Sequence, residues 1–467
     1  MCIYINKSSR KMNTSFFLFL RMSKFLCMKL LTALCFSYCL FFSLSLSGQS
    51  YSEMTEFFED AQYFFNRGEY EEAAYYYMKL VNKDPDNCNF NYKLGETYLN
   101  IPGKEPLAIP YFEKSLKYLK PKNSYEKKSF GERGAPVHAL FYLGNAYRIN
   151  NQLDKALEMY ARFTDSPFFY GNYNQNIVET EIASCERAKI IQDAPVSFEK
   201  TFFGSVINSD FTEEKPVISG DGKTLVFVRR LQFYDAIFCS RKIGDDWQQA
   251  VNINPQIVSD GDYYPTGLSS DGKTLLLVKK IEETYDIYYS VFNGLIWEPA
   301  KKFNNNINSL ANEIHASFGK DDKTIYLTSD RTGGRGGYDI YVVELVSADK
   351  WSRPKNLGKA INTSLNEQDA NFSADYDVLF FSSQGQYTMG GYDIFYTRKA
   401  GKKWQQPLNI GFPINTTGDN LFYTPLKDNC REAVISIENG PGNKDICTIR
   451  ITSLNTLNFQ PSHTGDE

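Results

Sequence analysis

Histidine is almost absent: the 467 residues hold three, His138, His315 and His463. They make neither His-x-x-His nor His-Glu-x-x-His, so their spacing offers no zinc centre. No Gly-x-Ser-x-Gly elbow occurs and no hydrolase-like segment follows the repeats described below, which argues against a serine peptidase. An excess of one charge is missing too. Lys and Arg number 51 against 55 Asp and Glu, a formal net charge of -4, which leaves no basic footprint for nucleic acid. The dense Asp-x-Asp-x-Asp-Gly spacing of a calcium loop is also lacking. Nine cysteines fall to five beyond residue 49: Cys88, Cys185, Cys239, Cys430 and Cys447. An odd, scattered set is a poor disulfide framework, and these read as small buried apolar residues. Cys430 and Cys447, flanking a hairpin at Gly440-Pro-Gly-Asn, are the one candidate bridge. The expectation is a chain without metal, cofactor or catalytic residue.

Long apolar runs are confined to the front. Lys24 and Lys29 precede Leu30 to Leu46, and small residues Ser47 and Gly48 follow. A basic flank, an apolar core and small residues near a cleavage point describe a secretory signal peptide over 1-49. The alternative is an uncleaved N-terminal anchor, just under spanning length. Met22 and Met28 are alternative starts. Cys35 and Cys39 lack the small preceding residue of a lipidation site.

Repetition is what the chain has in quantity. Four cores read Ser219-Gly-Asp-Gly-Lys-Thr, Ser270-Asp-Gly-Lys-Thr, Gly319-Lys-Asp-Asp-Lys-Thr and Ser373-Ala-Asp-Tyr-Asp. Each leads into an apolar run, an Asp-Ile-type pair at Asp235, Asp286, Asp339 or Asp393, and a tryptophan at Trp247, Trp297, Trp351 or Trp404. The tryptophans lie 50, 54 and 53 residues apart. Such a period built of short strands predicts a β-propeller over 196-452, because one blade cannot bury its own faces. A fifth unit, from Asp419 to Ile449, lacks the tryptophan and the outer strand. Val196 to Gly204 resembles that strand, so the expectation is five blades closed by the N-terminal strand, with a sixth, degenerate blade as the alternative. Residues 453-467 read as a polar tail.

Ahead of the propeller, over 54-192, the period changes. Ala61, Gly68, Tyr70, Ala73, Tyr77 and Pro85 have the offsets of a tetratricopeptide repeat. Gly95, Tyr98, Ala108, Phe112 and Pro121 begin a second copy, and Gly144, Tyr147, Ala156, Tyr160 and Phe163 a third. Small residues let paired helices approach while aromatics fill between them. An insertion, Lys122 to Ala135, reads as a solvated connection or a binding loop on one rim. Ile177 to Ile191 reads as the capping helix. The fold class is thus multidomain α plus all-β.

The propeller units resemble the PD40, or WD40-like, repeats of the TolB family, most sharply at Ser329-Asp-Arg-Thr-Gly-Gly-Arg-Gly-Gly-Tyr-Asp-Ile-Tyr341 and Ser383 to Phe395. Joined to helical repeats and a leader, the architecture resembles envelope proteins of Bacteroidota, including PorE-like components of type IX secretion and gliding. The resemblance implies a periplasmic, outer-membrane-associated scaffold with envelope-protein partners. Relatives of that kind often end in an OmpA-like domain. None is seen before Glu467, so the resemblance implies that any contact with peptidoglycan runs through a partner. The alternatives are a carbohydrate-binding or glycoside-acting propeller, and a TolB-like accessory to envelope integrity.

Repeated acids, Asp221, Asp271, Asp321 and Asp375 in the turns and Asp235, Asp286, Asp339 and Asp393 at the third strands, could form cation or glycosidase sites. Recurring in every unit, they read first as structural turn and strand caps. The tryptophans read as inter-blade anchors, with carbohydrate or peptide platforms as the alternative. Gly333 to Gly337 lacks the Lys-Ser/Thr of a phosphate loop and stands between strands. It reads as a wide turn holding Arg331 and Arg335, the candidate rim-binding residues.

Overall fold

The computed structural model describes residues 51-282, 284-347, 350-373, 377-426, 429-440 and 443-452. The leader, the tail with His463, and Asp375 lie outside these residues. Two compact units emerge, one of residues up to 101 with 113-136, the other of 102-112 with 137-467.

The first unit is built on helix α1 (51-66), α2 (Tyr70–Lys83) and α3 (Cys88–Leu99). Gly68, at φ 76°, makes the left-handed turn between α1 and α2 that a side chain would resist. Glu71 and Glu72 open α2 and Lys83 closes it, each complementing the helix dipole. Asn87 caps α3 by accepting the N–H of Phe90 at 3.1 Å. Phe58, Ala61, Ala73 and Tyr77 form the buried seam between α1 and α2. The insertion is solvated over most of its length and anchored at a few residues. Phe130 packs its ring on Phe58 and Phe90, both at 5.9 Å between centroids. Tyr125 donates to Asn89 at 2.7 Å, and buried Glu132 gathers the N–H groups of Glu126 and Gly134 and the Lys120 ammonium.

Helix α4 (Ala108–Ser115) spans the boundary between the units. The second unit then holds α5 (Ala139–Ile149), α6 (Leu153–Thr164) and α7 (Gln175–Gln192). Gly144 of α5 lies directly against the Tyr160 ring of α6, where a Cβ would collide. Tyr160 in turn donates to Asn145 at 2.8 Å.

Five sheets follow. Their first strands are Thr212–Ile218, Tyr263–Leu268, Glu313–Phe318, Glu367–Ser373 and Thr424–Leu426, and we number blades 1 to 5 in that order. Each first strand packs on that of the next blade, and the fifth returns to the first. Apolar clusters fill all five seams, for example Val226, Ile237 and Trp297 between blades 1 and 2, and Val434, Ile446 and Phe227 between blades 5 and 1. This explains the unbroken apolar runs Leu225–Val228 and Leu275–Val278, whose two faces are both covered.

Closure by the N-terminal strand needs correcting. Phe198–Phe202 pairs with Lys444–Ile451, but only as the last strand of an open four-stranded sheet. No sheet among the described residues closes on itself by hydrogen bonds, and no strand pairs with one of a neighbouring blade. Side-chain packing and scattered hydrogen bonds between blades complete the circle. The candidate disulfide is also absent. Cys447 stands opposite Ile435, several residues along the hairpin from Cys430, and the two buried cysteines are not joined in a disulfide.

One side chain recurs at each blade's exit. Asn208, Asn254, Asn308, Asn362 and Asn415 are buried and accept the N–H of Ile446, Ile237, Ile287, Ile340 and Ile394 at 2.7 to 3.0 Å. Their amides donate back to the carbonyl of the same isoleucine in four of the five, and to Asp235 in blade 1. Replacing Asn362 by Ala strips two backbone groups of Ile340 of their partner, so unfolding should become easier by about 1–3 kcal/mol. Urea denaturation of the full chain checks this.

Candidate functional site

Function in a propeller concentrates on its axis and on the loops at the two ends of its strands. Along the axis the first strands of blades 1 and 4 carry a bulge, where Lys215 and Asp369 adopt left-handed φ of 52° and 54°, and Phe422, just ahead of the first strand of blade 5, does so at 60°. Non-glycine residues there cost about 1–3 kcal/mol each. The Lys215 ammonium lies 4.2 Å from the centroid of the Tyr264 ring and 5.1 Å from that of Phe422. The Phe422 N–H donates to Asp369 at 3.4 Å. Lys215, Pro265, Thr266, His315 and Asn371 line a cavity of about 10 Å³, and the Thr266 hydroxyl and His315 Nδ1 are buried without a partner. Burial pulls the Lys215 amine below its usual range. Burial, aided by the Lys215 charge, pulls His315 down to about 3, and burial pushes Asp369 up to about 6.

Further along, Gly267, Ser317, Asn371 and Pro425 surround a second cavity of about 50 Å³. The lining acid, Asp322, accepts the Ser270 N–H at 2.8 Å and hydroxyl at 2.7 Å. A drug-sized ligand pocket measures about 300–1,000 Å³. These cavities hold water-sized groups.

The acids named from sequence divide by position. Asp221 and Asp271 each accept a serine hydroxyl, from Ser219 and Ser269, and a lysine N–H two residues on; Asp321 accepts the Lys323 N–H. Asp235 accepts the Tyr264 hydroxyl at 3.3 Å, and Asp286 pairs with Lys302 at 2.6 Å. Asp339 and Asp393 are fully buried beneath the glycine-rich loops. Asp339 accepts the N–H groups of Arg335 and Gly336 and the Asn356 amide. Asp393 accepts the Met389 N–H at 2.8 Å and the Asn409 amide at 2.7 Å, and burial pushes it up to about 7. The described ones are thus distributed over blades 1 to 4 in separate hydrogen-bond sets and are not gathered.

The tryptophans lie at the outer hairpins. Trp297 and Trp351 are buried, while Trp247 and Trp404 are half-buried against the seams. Arg331 turns inward, pairing with Glu313 at 3.0 Å and donating to the Ile307 carbonyl at 2.7 Å. Arg335 is exposed and donates to the Asn362 carbonyl. His138 bonds the Tyr173 hydroxyl at 3.0 Å. Sequence reasoning missed the buried Glu213, Glu313 and Glu367. Each holds a Ser or Thr four residues earlier by its N–H and its hydroxyl, and that Ser/Thr-x-x-x-Glu spacing was the available signal.

The tetratricopeptide-repeat family matches residues 46-87. The front of the chain is a tetratricopeptide-repeat region. No curated protein matches the chain in sequence. Similar solved structures include TolB from Acinetobacter baumannii, at 16% identity over 53% of this chain and 56% of that one, with a TM-score of 0.35. A putative TolB from Agrobacterium tumefaciens is 13% identical over 56% of this chain and 99% of that one, with a TM-score of 0.33. An α-L-arabinofuranosidase from Podospora anserina, in complex with cellotriose, is 11% identical over 56% and 99%, with a TM-score of 0.35.

The buried acids set a pH dependence. Asp393 binds its proton up to about pH 7 in the folded chain, and an unfolded aspartate only to about 3.9. The folded state thus holds the extra proton between those values, so this group's contribution to stability falls as pH rises through them. Asp393→Asn keeps both accepted bonds. It should flatten that decline and leave the protein at least as stable as wild type at pH 7, read by thermal melts from pH 4 to 8.

Proposed function

We propose that this chain is a non-catalytic scaffold of the bacterial cell envelope, in which the tetratricopeptide-repeat region and the propeller are two protein-binding modules. The observation that carries the reading is the small size of the two axial cavities among the described residues, about 50 and 10 Å³, with the acid lining the larger one already engaged by Ser270. Neither approaches the about 300–1,000 Å³ of a ligand pocket, whereas the loop ends of the blades present exposed surface.

The finer assignment is periplasmic and outer-membrane-associated, with envelope proteins as partners and peptidoglycan reached through one of them. It rests on the leader-like stretch Leu30 to Leu46 and on the PD40-like motifs at Ser329 and Ser383. A place in type IX secretion rests on the same motifs joined to helical repeats. A TolB-like accessory role is the neighbouring reading and differs only in its partners. The carbohydrate reading is the second one, kept in view by an arabinofuranosidase among similar structures. It needs two carboxylates about 5–9.5 Å apart across a bound sugar.

Two measurements separate them. Crosslinked, tagged full-length chain purified from envelopes should bring down an envelope protein in near-stoichiometric amount; recovery alone from the soluble fraction would overturn the scaffold. Incubation with arabinoxylan oligosaccharides should release no sugar, and turnover abolished by Asp322→Asn would establish the glycosidase instead.

A further inference from the structure

In an antiparallel four-stranded blade, the connection leading into the first strand and the one between strands two and three lie at the same end. Every blade therefore contributes two loops to one face of the propeller. On that face the loop between strands two and three of blade 4 and the loop into blade 5 are already covered. Arg187 of α7 donates to the Thr388 carbonyl at 2.8 Å and stands 5.3 Å from the centroid of the Tyr387 ring. Arg148 of α5 donates to the Thr417 carbonyl, whose own hydroxyl donates to the Ile149 carbonyl. Thr388, Met389 and Thr417 are buried as a result.

The equivalent loops of blades 1 to 3 are bare. Phe211, Phe233, Val258, Ile281 and Leu310 all sit in them with their side chains in solvent, Phe233 at 87% and Val258 at 69% exposure. The glycine-rich loop of blade 3, Gly333 to Gly337, repeats the covered loop of blade 4 in sequence yet is exposed throughout. Charge on these loops has a sign. Asp210, Asp260, Glu282 and Asp330 are exposed and form no ion pair among the described residues, against the unpaired cations Lys280 and Arg335. The neighbouring Glu214, Asp262 and Glu313 are already neutralised by Arg230, Lys279 and Arg331.

We propose that the loop face of blades 1 to 3 is a docking surface for an amphipathic helix of a partner protein that carries arginine or lysine among its apolar residues. The chain's own α5 and α7 supply the template: on the same face they place arginines on loop carbonyls and cover apolar side chains. The bare sector continues that interface, and its exposed aromatic and aliphatic groups offer the burial on which such contacts depend. Its surplus carboxylates select a basic helix over an acidic one. This inference rests on the scaffold reading and names the face and the partner's chemistry.

Photo-crosslinking tests it in the native host, with p-benzoylphenylalanine placed singly in the full-length chain at Phe233, at Leu310, at Leu295 on the opposite end of the strands, and at Tyr75 of α2. Adducts from 233 and 310, mapped by mass spectrometry to a helical, arginine- or lysine-bearing segment of another protein and at least ten-fold above those from 295, are expected. Adducts confined to 295 or 75 would sink the face and leave the scaffold standing. Adducts to a second copy of this chain, or to an acidic or non-helical segment, would sink the proposed occupant. No adduct at any of the four positions would sink both readings. Phe233→Asp, at a position too exposed to disturb the fold, should keep the melting temperature and lower partner recovery at least five-fold. Unchanged recovery would overturn the proposal.

Discussion

The buried asparagine at each blade exit is the contact on which the propeller depends. Its side-chain oxygen takes the N–H of an isoleucine near the start of the third strand, and in four blades its nitrogen returns to that residue's carbonyl. The amide therefore imitates a strand where the chain has to leave the sheet. The loop so pinned sets the position of the next first strand. In Asn362 and Asn415 the same amide also reaches an asparagine of the short outer strand, Asn356 and Asn409. One residue type thus fixes blade end, outer strand and inbound loop together. A buried backbone N–H and carbonyl without partners would otherwise cost free energy at five places.

Upon that frame the acids take their roles. The turn aspartates bind hydroxyls and N–H groups of their own turns, and the third-strand aspartates split into two half-buried ones and two fully buried under glycine loops. Gly334 shows why those loops are glycine-rich: a Cβ there would press on the Asp339 carboxylate and the Tyr341 hydroxyl. The glycines let backbone N–H groups close over a buried carboxyl group. The same loop type then meets two fates. In blade 4 it is sealed under helices, and in blade 3 it stays open to solvent.

Repeat number and strand identity were legible because each recurs at a fixed interval, and recurrence carries its own reading. The blade-exit asparagines also recur, each directly after an isoleucine at 207, 253, 307, 361 or 414, yet their role was not legible, since it involves a backbone group of another strand. The axial set was illegible. Lys215, His315 and Asp369 come from three blades and are joined only by lying on the axis, which no local spacing encodes. Arg331 looked like a rim residue because its glycine neighbours are exposed, while its partner Glu313 sits 18 residues upstream. The insertion is mixed: its lysines stand in water as their composition suggested, while Phe130 and Glu132 anchor it, which no spacing announced. Closure by one strand seemed to follow from a missing outer strand, but completing a sheet and closing a circle are different acts.

A ring whose neighbouring members share no strand pairing is jointed in a particular manner. Strand ladders have a register and resist sliding, because a shift of one residue exposes every buried side chain. The seams are held instead by apolar contact and by single hydroxyls: Ser317 donates to the Ala370 carbonyl, Thr424 to that of Pro216 and Ser373 to that of Leu426. At these seams a blade is thus fixed internally by a row of backbone bonds and fixed to its neighbour by one or two side chains, so a single Ser or Thr sets the height of one blade against the next.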